Sequence, residues 1–173
     1  VLLDSIGCAL AGLSVDKGKF SVKLARYLGG VPESTIIGTV ERVSCSSATF
    51  ANAELINALD YDAVLPPGHV SPFVIPAPLA LAECRNASGK DLILALALGH
   101  EIAARVGGAL APLVKMVREG DEVGKVVPSP IFGYSACVFG GAAAAGKVLG
   151  LVREKISHAL GIAGYLTPHQ AMV

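Results

Sequence analysis

Between Pro66 and Pro78 the chain places five prolines in thirteen residues: Pro66, Pro67, Pro72, Pro76 and Pro78. Each fixes φ and lacks a backbone N–H, so no regular helix is expected to run through the stretch. Helix should resume only near Ala77 and cover 78–85, with Pro78 tolerated in the first turn. Apolar residues on either side recur at helical spacing. Upstream, 2–13 and 16–28 read as helices, the second stopped by Gly29-Gly30 and then Pro32. Ser46 or Ser47 can cap a third that reaches about Leu59. Downstream, 90–106 (capped by Ser88), 132–149 and 151–166 follow the same period, and Gly107-Gly108 interrupts the first of these. Thr35-Ile-Ile-Gly-Thr-Val40 is β-branched and is expected to pair with 41–45 as a short hairpin. The most polar stretch, 118–125, reads as an exposed loop. No βαβ alternation or internal repeat occurs. The expected class is all-α, with at most a short β-hairpin near 35–45, and residues 1–173 form part of one helical domain.

Composition narrows this further. Hydrophobic residues make up 53% and charged residues 16% of 173, and the excess is Ala, Leu, Val and Gly. Such a chain packs helices closely and buries much surface against something else, equally the rest of a bigger molecule or another subunit of an oligomer. The uninterrupted apolar run 92–99 is far short of the ~20 residues that span a bilayer, so no membrane partner is expected. Formal net charge is zero and the basic residues are scattered, which argues against nucleic acid. Cys8, Cys45, Cys84 and Cys137 lie far apart without CxxC spacing and read as free thiols of a cytoplasmic protein. The chain opens on Val1-Leu-Leu-Asp4, and we read it as a fragment of a larger molecule.

Two motifs promise more than they hold. Gly141-Ala-Ala-Ala-Ala-Gly146-Lys147 matches most of a phosphate-binding loop, but Val148 cannot supply the hydroxyl that would bind magnesium. Four alanines favour continuous helix. His100-Glu101 starts like a zinc-protease motif, yet position 104 is alanine, so no metal is expected. His158 reads as a surface or interface residue, and His169 could approach a site in the complete protein.

The polar residues that remain converge on one stretch. Asn52-Ala-Glu-Leu-Ile-Asn57-Ala-Leu-Asp60-Tyr-Asp62 ends a helical pattern in two carboxylates, and His69-Val-Ser71-Pro72 follows a short loop. Acidic groups oppose the macrodipole at a helix C-terminus, so two of them there call for a cationic partner or a ligand. Carboxylates and an imidazole between buried elements can bind a small anion and move protons. Asn52 and Asn57 can orient ligand carboxylates or satisfy buried backbone.

In order along the chain, these segments resemble the MmgE/PrpD family. Asp4-Ser-Ile-Gly-Cys-Ala-Leu-Ala-Gly12 is similar to its first helix, Thr35-Ile-Ile-Gly-Thr39 to its short strand, and Phe50-Ala-Asn52 through Asp60-Tyr61-Asp62 to its aspartate signature. His69-Val-Ser71-Pro72 resembles the following H-P-[ST]. Leu79-Ala-Leu-Ala-Glu83, Ser88-Gly-Lys-Asp91, Gly99-His-Glu101 with Arg105, Phe132-Gly133 and Ala159-Leu-Gly-Ile-Ala-Gly164 continue the agreement.

The resemblance implies a helical domain that is followed, in complete members, by a smaller α+β lid, and a homodimer. It implies a cofactor-independent lyase acting on a small di- or tricarboxylate, by dehydration of the 2-methylcitrate type or decarboxylation of the cis-aconitate type. His69 and Asp60 match catalytic positions, and Asp62 matches the second carboxylate; Asn52 and Asn57 are expected to bind substrate. The alternatives are an epimerase or isomerase of the same family, or a non-catalytic dimerising module. Three departures stand out. Ala63 replaces an aspartate and Asn57 a histidine, while a second catalytic histidine would fall near Val127. The family's active-site lysine and lid are expected beyond Val173.

Overall fold

The computed structural model describes residues 1–65, 68–109, 114–119, 122–128 and 135–167. Helices dominate. α1 (Leu2–Gly12) and α2 (Asp16–Leu28) pack their small residues inward, Ser5, Cys8, Ala9 and Gly12 from one and Gly18, Ser21, Val22 and Ala25 from the other. Both lie on α3 (Cys45–Asn57), which buries Ala48, Ala51, Leu55 and Ile56. Ile36, Leu55, Ile56 and Ile75 are at most 1% exposed and anchor the main core. Small side chains let three helices approach closely; the larger aliphatics then fill what space is left.

Ser44, rather than Ser46 or Ser47, caps α3: its hydroxyl accepts from the Ser47 N–H at 3.2 Å. Extended backbone at Ser44, following the strand before it, gives this serine the geometry of a cap. That strand belongs to the expected hairpin, β1 (Ser34–Thr35) with β2 (Arg42–Val43), in the register Ser34↔Val43. It is shorter than the β-branched run suggests.

The proline stretch is more regular than its composition implies. α4 (Ser71–Val74) and α5 (Pro76–Cys84) both form within it, because Pro72 and Pro76 fall in first turns, where no N–H is required. α6 runs Gly89–Ala109, straight through Gly107-Gly108. Ser88 caps it as expected, accepting from Asp91 N–H at 3.2 Å while its hydroxyl donates to the Asp91 carboxylate at 2.6 Å. By length and composition α6 could cross a membrane. Here it packs along α7 (Ser135–Val148). A Cβ on Gly140 would stand 2.5 Å from the Gly99 carbonyl oxygen and 2.9 Å from Ala103 Cβ, so only glycine allows this approach. The glycine–alanine–lysine motif lies within α7 and forms no phosphate loop. α8 (Arg153–Leu166) follows, with His158 on its exposed side. His169 lies outside the described residues.

Two hairpins were not expected. β3 (Val64–Leu65) pairs with β4 (Gly68–His69), and β5 (Val114–Glu119) with β6 (Glu122–Pro128), both antiparallel. The second occupies the stretch read as a polar loop. Arg118 stands next to the closing pair Glu119↔Glu122, and valines at 114, 117, 123, 126 and 127 supply β propensity to the arms. The mainly helical class stands, with two hairpins beyond the expected one among the described residues.

Candidate active site

α3 ends at Asn57, and the chain turns back within three residues. Asp60 N–H reaches the Asn57 carbonyl at 3.1 Å, and Asp60 itself adopts φ 53. Aspartate tolerates this left-handed conformation better than most side chains do. The reversal sends Asp62 inward, where its side chain is fully enclosed. The β3–β4 hairpin then sets His69 opposite Val64. Three residues from a helix end and a hairpin thereby meet.

His69 lies between the two carboxylates. Its Nδ1 is 3.1 Å from Asp62 Oδ2, and its Nε2 is 3.4 Å from Asp60 Oδ1. Their surroundings differ sharply: Asp62 is enclosed, whereas the Asp60 side chain is 81% exposed. A carboxylate only accepts, so His69 must present Nδ1–H to Asp62, which fixes ring orientation and tautomer. Nε2 then lies beside the exposed Asp60. The other Asp62 oxygen accepts from Asn57 Nδ2 at 3.1 Å. A buried carboxylate is costly unless hydrogen-bonded, and here both oxygens are. The two acidic groups at this helix C-terminus gain donors in His69 and Asn57, and behind Asn57 stands the cation Lys17. Its ammonium donates to Asn57 Oδ1 at 3.0 Å and lies 3.4 Å from Glu54 Oε2.

Cys8 of α1 backs this group. Burial first, and then the negative charges of Asp4 and Asp62, push its thiol above the ordinary value. All four cysteines are free. Asp60, Asp62 and His69 also present ligand atoms within 4.8 Å of one another, close enough to share a cation. The Asp62 oxygens and His69 Nδ1, however, already bond one another and Asn57, an arrangement built for holding a proton.

Of the five residues singled out in the sequence, the structure thus brings together Asn57, Asp60, Asp62 and His69. Asn52 does something else. It is 1% exposed, accepts from Ile37 N–H at 2.9 Å and donates to the Thr35 carbonyl at 3.1 Å, stitching α3 to the chain after β1. That is the backbone-satisfying duty. Lys17 escaped sequence reasoning because it lies forty residues from Asn57 and on another helix. Val127 pairs with Lys115 in the β5–β6 hairpin. His100 donates from Nδ1 to the Leu96 carbonyl at 2.8 Å, and Glu101 is tied to Arg105 at 2.6 Å, so neither forms a metal pair.

Comparison with known proteins gives the family. The family model of the MmgE/PrpD N-terminal domain matches residues 1–172. The chain belongs to the MmgE/PrpD family. It is 30% identical over 172 residues to a cis-aconitate decarboxylase-like protein of Aspergillus oryzae, covering 94% of this chain and 34% of that one. The cis-aconitate decarboxylases of Aspergillus terreus and Homo sapiens are 29% and 30% identical over 170 residues, covering 94% of this chain and 33% of each relative. The chain spans about a third of the length of these relatives.

Proposed function

We propose that this MmgE/PrpD domain forms one wall of the active site of a cofactor-independent lyase for a small di- or tricarboxylate, with His69 as the acid/base group. One observation carries the reading: an imidazole held on one nitrogen by an enclosed carboxylate, with an exposed carboxylate beside the other. Asp62 holds the ring. His69 Nε2 exchanges a proton with the carbon next to a substrate carboxylate. In a dehydration it removes that proton, the electron pair expels the neighbouring hydroxyl, and His69 passes the proton to the leaving oxygen to complete a water. In a decarboxylation carbon dioxide leaves its bonding pair on carbon, and His69 in its protonated form supplies the proton. Asp60, exposed beside His69, steers the substrate's hydroxyl or its protonated carboxyl. The substrate's negative charges call for cationic partners in the complete active site. The names of the relatives favour decarboxylation of a cis-aconitate-like substrate.

Exposed apolar side chains on α1, α2 and α6 (Leu3, Phe20, Tyr27, Leu28, Ile93 and Leu94) support a homodimer or contact with the remainder of the protein.

The test uses the full-length protein and a panel of citrate- and aconitate-type acids in heavy water. Release of carbon dioxide, or formation of an alkene, is expected. His69→Gln should lower turnover by about 10²–10⁴-fold. Wild-type turnover in that variant would remove His69 from the role. Deuterium entering recovered substrate, with neither alkene nor carbon dioxide formed, would identify an epimerase instead.

A further inference from the structure

The hydrogen bonds at His69 continue through the domain to a lysine on another helix. We propose that Lys17 is a positioning residue for His69, acting through Asn57 and Asp62. The proposal rests on the reading of His69 as a proton carrier, although its geometry stands independently.

Four consecutive links define the path. Lys17 Nζ donates to Asn57 Oδ1 at 3.0 Å, Asn57 Nδ2 donates to Asp62 Oδ1 at 3.1 Å, and Asp62 Oδ2 meets His69 Nδ1 at 3.1 Å. His69 Nε2 then faces Asp60 at 3.4 Å. Chemistry makes the direction of the first three unambiguous. A lysine only donates and a carboxylate only accepts, so the Asn57 amide can sit only with oxygen toward Lys17 and nitrogen toward Asp62. Were it reversed, both ends would lose their bonds. The cation polarises the amide and strengthens its donation to the enclosed carboxylate. Asp62, held at one oxygen, presents the other to Nδ1 and so selects the tautomer with its proton on Nδ1.

Lys17 stands in the first turn of α2, Asn57 ends α3, and His69 is on β4. The path therefore spans three elements that share no local sequence signal. The plainer account makes Lys17 a surface staple between α2 and α3, with Glu54 as its second partner at 3.4 Å. Such a staple would affect melting and nothing at the imidazole. Lys17 is about half exposed, so its replacement leaves the core intact.

The experiment compares wild type, Lys17→Met, Lys17→Arg and Asn57→Ala in the full-length protein with labelled histidine nitrogens. The His69 signals are identified by their loss in His69→Gln. The expected wild-type pattern is the Nδ1–H form. Lys17→Met should shift it toward a mixture of tautomers, Asn57→Ala should shift it further, and Lys17→Arg should restore it. With substrate, Lys17→Met should lower kcat on the order of tenfold at nearly unchanged KM, as losing an outer partner of a working histidine does. Unaltered His69 nitrogens in Lys17→Met overturn the proposal, whatever Asn57→Ala does, and a change confined to Tm does the same. Because the nitrogen spectra need no substrate, a shifted tautomer in a protein that turns over no carboxylate would sink the functional reading and leave the relay standing.

Discussion

The contact between α6 and α7 and the polar group at the end of α3 solve opposite problems. Gly99 and Gly140 bring two backbones together, with Val74, Ala103 and Ala144 packed around them. At the end of α3 an enclosed carboxylate, an amide and an imidazole satisfy one another, with a lysine behind them. The first region is specified by the absence of side chains and tolerates no added volume. The second is specified by donor and acceptor direction, and it leaves Asp60 exposed. Chemistry needs the second kind of site, since only there can a group gain or lose a proton without disturbing the packing around it.

That contrast can be broken at several points. The largest effect should come from His69→Gln. Its turnover falls as stated above, yet its Tm should stay near wild type because the glutamine amide can still donate to Asp62. A collapse in stability measured by calorimetry would erase the distinction between the two regions. Gly140→Ala should do the reverse, losing about 1–3 kcal/mol in denaturant titrations as backbone and neighbours shift around a Cβ that has no room. Unchanged stability there would mean that α6 and α7 can separate at little cost. Ser44→Ala, at the other end of α3, should cost about 1 kcal/mol through the lost cap, without altering substrate specificity.

The mildest probe is pH. Burial pushes the Cys137 thiol up to about 12 from an ordinary value of 9.0. The raised folded value means that its contribution to stability is complete below pH 9.0 and declines as pH rises toward 12. Melting curves across that range should show the decline, and Cys137→Ser should flatten it. A wild-type profile that is already flat would show that the α7 interior opens to hydroxide.

Much of this could be seen in the sequence. The helical period placed α2 at its observed limits and α6 and α8 nearly so, since amphipathic spacing and punctuation by glycine and serine act locally. The alanine-rich motif read correctly as helix for the same reason. Ser44 was passed over because Ser46 and Ser47 are equally good caps by residue type, and only the backbone conformation chooses among them. The pairing of 114–119 with 122–128 is not legible, because the polar residues within 118–125 read as a loop and outweigh the valines on either side. At the site, the pairing of carboxylates and histidine was legible from their crowding between 60 and 69. The separate duties of Asn52 and Asn57, which share a helix, were not. One points its amide at the backbone after β1 and the other at Asp62, and only the packing of α3 against its neighbours decides this.

The sequence by itself determined the helical class, the family and the residues that gather at His69, because periodicity and ordered motifs are properties of the chain. The tertiary structure alone decided which carboxylate is enclosed, which nitrogen of His69 is held, and that Lys17 stands behind Asn57. Burial and hydrogen-bond direction arise only when distant segments meet, and no local pattern encodes them.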